Sequence, residues 1–305
     1  MQSNDTKATC PRTAGRNDRN AEPGKEAQMS RTINRVGLLG LAMALVAVAT
    51  GLSAHATSQA EDDGTKASAT PSVASEANNP LAKFQAFNIH NYYIPSLSEL
   101  DDQNANTFWL RYAQPFGKWL FRGSLPASRV PAGVGETTSG LGDFNAFAAY
   151  LFDTGDPNVS VGVGPLVVAP TASEDETGSG KWQGGLSAIY FNSKSSTLQW
   201  GGLVTWQTDF AGDDDRPGTN VLAVQPFYFV QLGKGLYVRG SAVAVFNLET
   251  DSYNVPVGLG IGKVVPTPGA VFNIFVEPQF TILDRGPGQP ELQLFVGFNT
   301  QFVKQ

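Results

Sequence analysis

LQWGGLVTWQTDF, residues 198–210, places Leu198, Trp200, Gly202, Val204, Trp206, Thr208 and Phe210 on one face of an extended chain. Gln199, Gly201, Leu203, Thr205, Gln207 and Asp209 fall on the other. Side chains alternate strictly along a strand, so period two over this length predicts a long β-strand with one apolar face, not a helix. ELQLFVGFNTQF (291–302) repeats the pattern, setting Leu292, Leu294, Val296, Phe298 and Phe302 against Glu291, Gln293, Gly297, Asn299 and Gln301. VFNIFVEPQFTIL (271–283) does so again, with Phe272, Ile274, Val276, Phe280 and Ile282 opposite Asn273, Glu277, Gln279 and Thr281.

The same beat predicts about twelve strands, at 84–92, 106–116, 118–126, 141–152, 158–170, 181–191, 197–210, 220–231, 236–247, 253–264, 270–283 and 291–303. A soluble sandwich also buries one face of each strand, so alternation alone does not choose an architecture. The links choose it. With the amino terminus periplasmic, the odd-to-even links at 94–105, 127–140, 171–180, 211–219, 248–252 and 284–290 are mostly long and carry acidic residues. The even-to-odd links at 117, 153–157, 192–196, 232–235 and 265–269 are short, with Lys118, Lys194, Lys234 and Lys263 in or near them. Long outer loops alternating with short inner turns, on strands long enough to cross a bilayer at a tilt, predict an all-β, antiparallel transmembrane β-barrel at 81–305.

Ahead of the barrel, Arg31 and Arg35 precede an apolar run from Val36 to Leu52, followed by Ala54-His55-Ala56. That order is a secretory signal peptide, assigned to 29–56 with cleavage after Ala56. Residues 1–28 are a polar upstream or unused extension, and 57–80, rich in Ala, Ser and Thr and without an aromatic residue, reads as a disordered periplasmic linker. Composition agrees with export and sheet: 33 Gly, 10% aromatic and 16% charged residues, with no later apolar run long enough for a membrane helix. The one Cys, Cys10, lies upstream of the signal, which removes disulfide, zinc-thiolate and Cys-nucleophile chemistry from the exported chain. With 7 of the 21 basic and 4 of the 27 acidic residues in the first 56, the exported part carries 14 against 23, so a nucleic-acid partner is disfavoured.

At Gly140-Leu141-Gly142-Asp143-Phe144, Val224-Gln225-Pro226-Phe227, Leu292-Gln293-Leu294-Phe295 and above all Val255-Pro256-Val257-Gly258-Leu259-Gly260-Ile261-Gly262-Lys263-Val264, the sequence resembles an outer-membrane family. Its members are labelled "MetA-pathway of phenol degradation" proteins or outer-membrane transporters. The resemblance runs over nearly all of 79–302. It implies a barrel in the outer membrane of a Gram-negative-type bacterium, in contact with lipid and lipopolysaccharide, passing small hydrophobic or aromatic solutes without a cofactor. It supplies no set of functional residues.

On the polar faces, Arg111, Arg122 and Arg239 stand as lumen candidates with Asp143, Asp209 and Glu277. Two readings are open: the charges pair across the lumen and brace the wall, or they form a selectivity ring in a water-filled pore. Trp119, Trp182, Trp200 and Trp206 read as lipid-facing girdle residues. Asp213-Asp214-Asp215 and Glu174-Asp175-Glu176 read as solvated loop acids, since no spacing fixes a metal shell. A structural or surface-interaction barrel without a pore is the alternative function. A barrel-borne hydrolase is the competing class; it needs His90, the one His after Ala56, beside a nucleophile such as Ser124, Ser160, Ser187 or Ser241.

Overall fold

A computed structural model describes residues 76–133 and 135–302; the expected extension, the signal peptide and the linker up to residue 75 lie outside them. Fifteen strand segments follow in order: β1 (Gln85–Leu97), β2 (Ala105–Phe116), β3 (Trp119–Gly133), β4 (Glu136–Leu141), β5 (Phe144–Phe152). Then come β6 (Val159–Ala169), β7 (Lys181–Asn192), β8 (Leu198–Gly212), β9 (Asn220–Gly233) and β10 (Leu236–Gly240). The series ends with β11 (Ala244–Asn247), β12 (Ser252–Gly258), β13 (Gly260–Thr267), β14 (Ala270–Arg285) and β15 (Pro290–Phe302).

Every pairing is antiparallel. β4 and β5 both pair with β3, β10 and β11 both with β9, and β12 and β13 both with β14, so fifteen segments make twelve staves. β15 pairs with β1 from Gln85↔Phe302 to Leu97↔Pro290 and closes the sheet into a barrel without a free edge. Closure is what lets strands cross hydrocarbon, because every backbone polar group finds its partner in the wall.

The outer face is the predicted apolar one. Leu198, Trp200, Val204, Trp206 and Phe210 of β8 are all exposed, as are Leu294, Val296, Phe298 and Phe302 of β15. The four girdle tryptophans also point outward. An apolar belt that encircles the barrel is the surface a bilayer covers. Trp109 alone of the residues 76–302 tryptophans is turned toward the lumen, its neighbours Phe108 and Leu110 being the outward ones.

Five details differ from the expectation. First, 127–140 is not a loop: β3 and β4 pair from Ala127↔Leu141 to Gly133↔Glu136, with Pro131 at a bulge, where a missing N–H is tolerated. Second, β1 runs past Tyr92 to Leu97 because a bulge between Tyr93 and Ser96 accommodates Pro95, so His90 is in mid-strand. Third, the staves expected at 236–247 and 253–264 are each interrupted, at 241–243 and at Leu259. Fourth, a register shift opposite Val255/Pro256 turns Leu283 rather than Ile282 outward, leaving Ile282 half-buried. Fifth, the expected linker end is not outside the barrel: Ala77, Asn78, Leu81 and Ala82 are buried, and Gln301 Nε2 donates to the Ala77 carbonyl at 3.2 Å.

The interruption of the tenth and ninth staves is a gap in the ladder. Pairing of β10 with β13 stops at Arg239↔Gly260, and pairing of β11 with β12 starts at Val245↔Asn254. Side chains and β14 take over the orphaned backbone groups: Ser241 N donates to Glu277 Oε1 at 2.7 Å and Leu259 N to the Pro278 carbonyl at 3.2 Å. Gln225 Nε2 donates to the Ser241 carbonyl at 2.8 Å, and the Tyr228 hydroxyl to the Gly258 carbonyl at 3.3 Å.

At the end opposite the termini, the links are tied to one another. The Ser98 N–H donates to the Gln289 carbonyl at 2.8 Å while Ser98 Oγ accepts from Gln289 N at 2.9 Å. Arg216 joins 213–219 to 170–180 through Asp175, at 3.3 Å, and through the Gly178 carbonyl at 2.5 Å. The termini end carries the short turns, one held by Lys194–Asp156 at 3.0 Å. There the Asn158 N–H, and then Lys194, hold the Asp156 carboxyl below its usual range. This sidedness gives a direct expectation. Asp214→Cys, in the far-side link, reacts with an impermeant thiol reagent on intact cells, and Ser195→Cys, in a short turn, reacts only after the cells are broken. Labelling of both on intact cells would overturn the orientation.

Candidate functional site

The lumen is sorted along its length. Near the short turns it is apolar: Phe191, Phe227, Phe229, Tyr237, Val264 and Val271 form one cluster with Ala77, and Leu120 and Ile189 form a second with Leu81. A lumen that is polar throughout was the simple expectation for a barrel, and this end departs from it because residues 77–82 enter and need an apolar seat. Asn78 is anchored by Asn273, whose Nδ2 donates to Asn78 Oδ1 at 3.0 Å, while Tyr237 Oη donates to Asn273 Oδ1 at 2.5 Å. Asn78 Nδ2 and Gln301 Oε1 are buried with no partner among the described residues.

Beyond that seat lies a band of charge and aromatic rings. Alternation with Leu110 and Phe121, which face out, turns Arg111 and Arg122 in. In the β2–β3 register Arg111 is opposite Ser124 and Ala113 opposite Arg122, so the two arginines are diagonal neighbours on one face. Arg111 Nη1 lies 2.6 Å from His90 Nδ1, and His90 Nε2 lies 2.8 Å from Asn299 Oδ1. A guanidinium can only donate, so Nδ1 accepts and the ring's proton sits on Nε2, pointing at Asn299. His90 stands edge-on to Phe295 at 5.1 Å, and Tyr92 stacks on the same ring at 4.2 Å. The Arg111 guanidinium lies 4.7 Å from the Trp109 ring and that of Arg122 6.0 Å from Phe147.

The third arginine is different. Arg239 Nε donates to Glu277 Oε2 at 2.8 Å, with the two side chains 7% and 0% exposed. Ser241 Oγ accepts from Arg239 Nη2 at 2.6 Å and donates to Glu277 Oε2 at 2.9 Å; Gln279 Nε2 donates to Glu277 Oε1 at 2.9 Å. The guanidinium carbon lies 3.5 Å from the Phe275 ring centre. That ring fits because Gly297 faces it: a Cβ there would overlap Phe275. The charges of this pair are thus satisfied in full, as burial requires.

Of the six lumen candidates only Arg239 and Glu277 pair with each other among the described residues, and they do so within the wall, from the ninth and eleventh staves, not across the lumen. Asp143 is tied to the 170–180 link, accepting from Ser179 N at 2.7 Å and Ser179 Oγ at 2.8 Å. Asp209 accepts from Thr219 N at 2.6 Å, at the far end of β8. Arg111 and Arg122 have no carboxylate within ion-pair distance among the described residues. The serine–histidine arrangement has no geometric basis there either: both His90 nitrogens are engaged and Ser241 belongs to Glu277 and Arg239. Tyr92, Trp109, Phe275, Phe295 and Asn299 were not singled out from the sequence, although the parity that places Leu110 and Val296 outside also places these inside.

The band and residues 77–82 border a partly open cavity of about 160 Å³, lined by Asn78, His90, Tyr92, Arg111, Arg122 and Phe295 among others.

No protein-family model matches the chain, and no curated protein matches it. Among solved structures, an outer-membrane channel from Pseudomonas putida F1 superposes with a TM-score of 0.53 over 79% of this chain and 100% of that one, at 14% identity. The NanC porin aligns over 72% of this chain and 100% of its own at 10% identity and a TM-score of 0.46. The KdgM porin does so over 72% and 99% at 9% and 0.43. At these identities the first likeness is one of fold, and the fold is a closed barrel.

Proposed function

We propose that the chain is a channel of a Gram-negative-type outer membrane that passes small hydrophobic or aromatic compounds. In this reading residues 29–56 are its signal peptide, 57–80 lead into the barrel, and the apolar belt meets lipid and lipopolysaccharide. The observation that carries it is the cavity inside the closed wall, bordered by aromatic rings and by two guanidiniums that no carboxylate of the described residues reaches. A barrel of purely mechanical purpose has no need of unpaired charge in its interior, because each buried ion costs free energy unless it serves a ligand or a partner. The fold likeness to a channel supports the same reading.

A second reading, a barrel without an open pore, is favoured by one observation: Ala77, Leu81 and Ala82 are packed into the lumen. Planar-bilayer recording on the purified, heat-modifiable protein in KCl separates the two. Discrete current steps are the expected result. Folded protein that inserts and gives no steps at any voltage removes the channel reading in favour of the second.

A further inference from the structure

Two guanidiniums on adjacent strands, turned into one cavity with no carboxylate of the described residues within ion-pair distance, repel each other. Arg111 and Arg122 are in this position, while the acid of the lumen wall at this depth, Glu277, is fully committed to Arg239, Ser241 and Gln279. Such a pair attracts an anion. A guanidinium offers a planar fork of donors, which matches the two oxygens of a carboxylate. Arg111 gives N–H groups to His90 Nδ1 and to the Tyr92 hydroxyl, and the His90 bond, backed by Asn299, fixes the plane of its fork. Arg122 lies beside the Phe147 ring and is the more available of the two.

The remaining walls specify what accompanies the charge. Tyr92, stacked on Phe295, and the edges of Phe295 and Phe275 line the cavity beside the cations. Flat rings favour a flat ligand. Size sets the rest: an apolar cavity of about 150 Å³ accepts a benzene molecule, and the cavity here is of about 160 Å³.

We propose that His90, Arg111 and Arg122, with the Tyr92–Phe295 stack, form a binding site for a single-ring aromatic carboxylate inside the lumen. The proposal rests on the channel reading and narrows its solute from aromatic compounds at large to their anions. Neutral hydrocarbons lack a partner for the two charges and are held less well.

The test uses the whole folded barrel in detergent and two probes of equal ring size, benzoate and benzyl alcohol, titrated by calorimetry at low salt and neutral pH. Benzoate is expected to bind at least tenfold more tightly. Arg122→Gln, the variant that breaks fewest contacts, brings the ratio of the two affinities near unity, and Arg122→Lys, which keeps the charge but not the fork, gives an intermediate ratio. Equal affinities of the two probes for the unmodified protein overturn the proposal even if no variant folds, and so does a preference that survives Arg122→Gln. The channel reading fails separately: protein that prefers benzoate but carries no current keeps the site and loses the channel. Protein that conducts but does not discriminate keeps the channel and loses the site.

Discussion

Glu277→Ala is expected to be the most destabilising single change in the wall. It leaves the Arg239 guanidinium, 7% exposed, without its counter-ion, and it strips the acceptors from Ser241 N and Ser241 Oγ at the same time. Removing one partner of a buried pair costs about 3–5 kcal/mol, because the remaining charge keeps its desolvation penalty. The double variant Arg239→Met with Glu277→Leu removes both charges and fills similar volume, so it should be markedly more stable than Glu277→Ala. Urea unfolding in lipid vesicles, followed by tryptophan fluorescence, reads both. A Glu277→Ala barrel within about 1 kcal/mol of the parent, on the scale of a solvent-exposed pair, would show that water reaches the site and that the pair is not buried.

The second large effect separates the two faces of one strand. Val204 is exposed on the outer face and Thr205 is turned inward. Arginine on the lipid face at the bilayer midplane costs roughly 2–4 kcal/mol, whereas lumen substitutions tune selectivity. Val204→Arg should therefore lose much of the compact, fast-migrating band on unboiled gels. Thr205→Arg should retain it and move the reversal potential in a KCl gradient toward anions. The exchange of these outcomes would mean a one-residue error in register. Equal tolerance of both would mean that β8 does not face lipid, and the membrane-spanning reading would fall with it.

Much of this architecture was legible in the sequence. Period-two alternation in 198–210 and 291–302 identified most of the outer face, because lipid selects for apolar side chains at alternate positions. The inner face carries no such rule, which is why the site was only half readable. Arg239 and Glu277 were recognised as lumen charges, but nothing in the spacing of Asp143 and Asp209 revealed that they cap outer links instead. Polar residues close to a strand end serve loops as readily as the lumen, and the boundary between the two depends on strand length. Lengths were misjudged at the links set at 94–105 and 127–140, where the strands run on through Pro95 and Pro131; bulges absorb both. The interrupted staves at 241–243 and Leu259 had one cue, Gly258-Leu259-Gly260, where glycine leaves room for the Glu277 side chain. The burial of Ala77, Asn78, Leu81 and Ala82 had none, since Ala, Asn and Pro also compose an ordinary linker.

The gap between β10/β13 and β11/β12 also sets a chronology for assembly. The donors left over on Ser241 and Leu259 find acceptors on β14, a stave later in the chain than both. Until β14 arrives, an inserting intermediate would present bare N–H groups to hydrocarbon, where they are least tolerated. Neighbouring staves elsewhere can zip pairwise as they come; here the hairpin must wait for a third member. The final circularisation of the wall, in which β15 joins β14 to β1, is thereby coupled to the completion of its weakest joint. A half-made barrel missing its last two staves is deprived of its edge partner and of its patch together, so partial products have little chance of persisting as open sheets in the membrane.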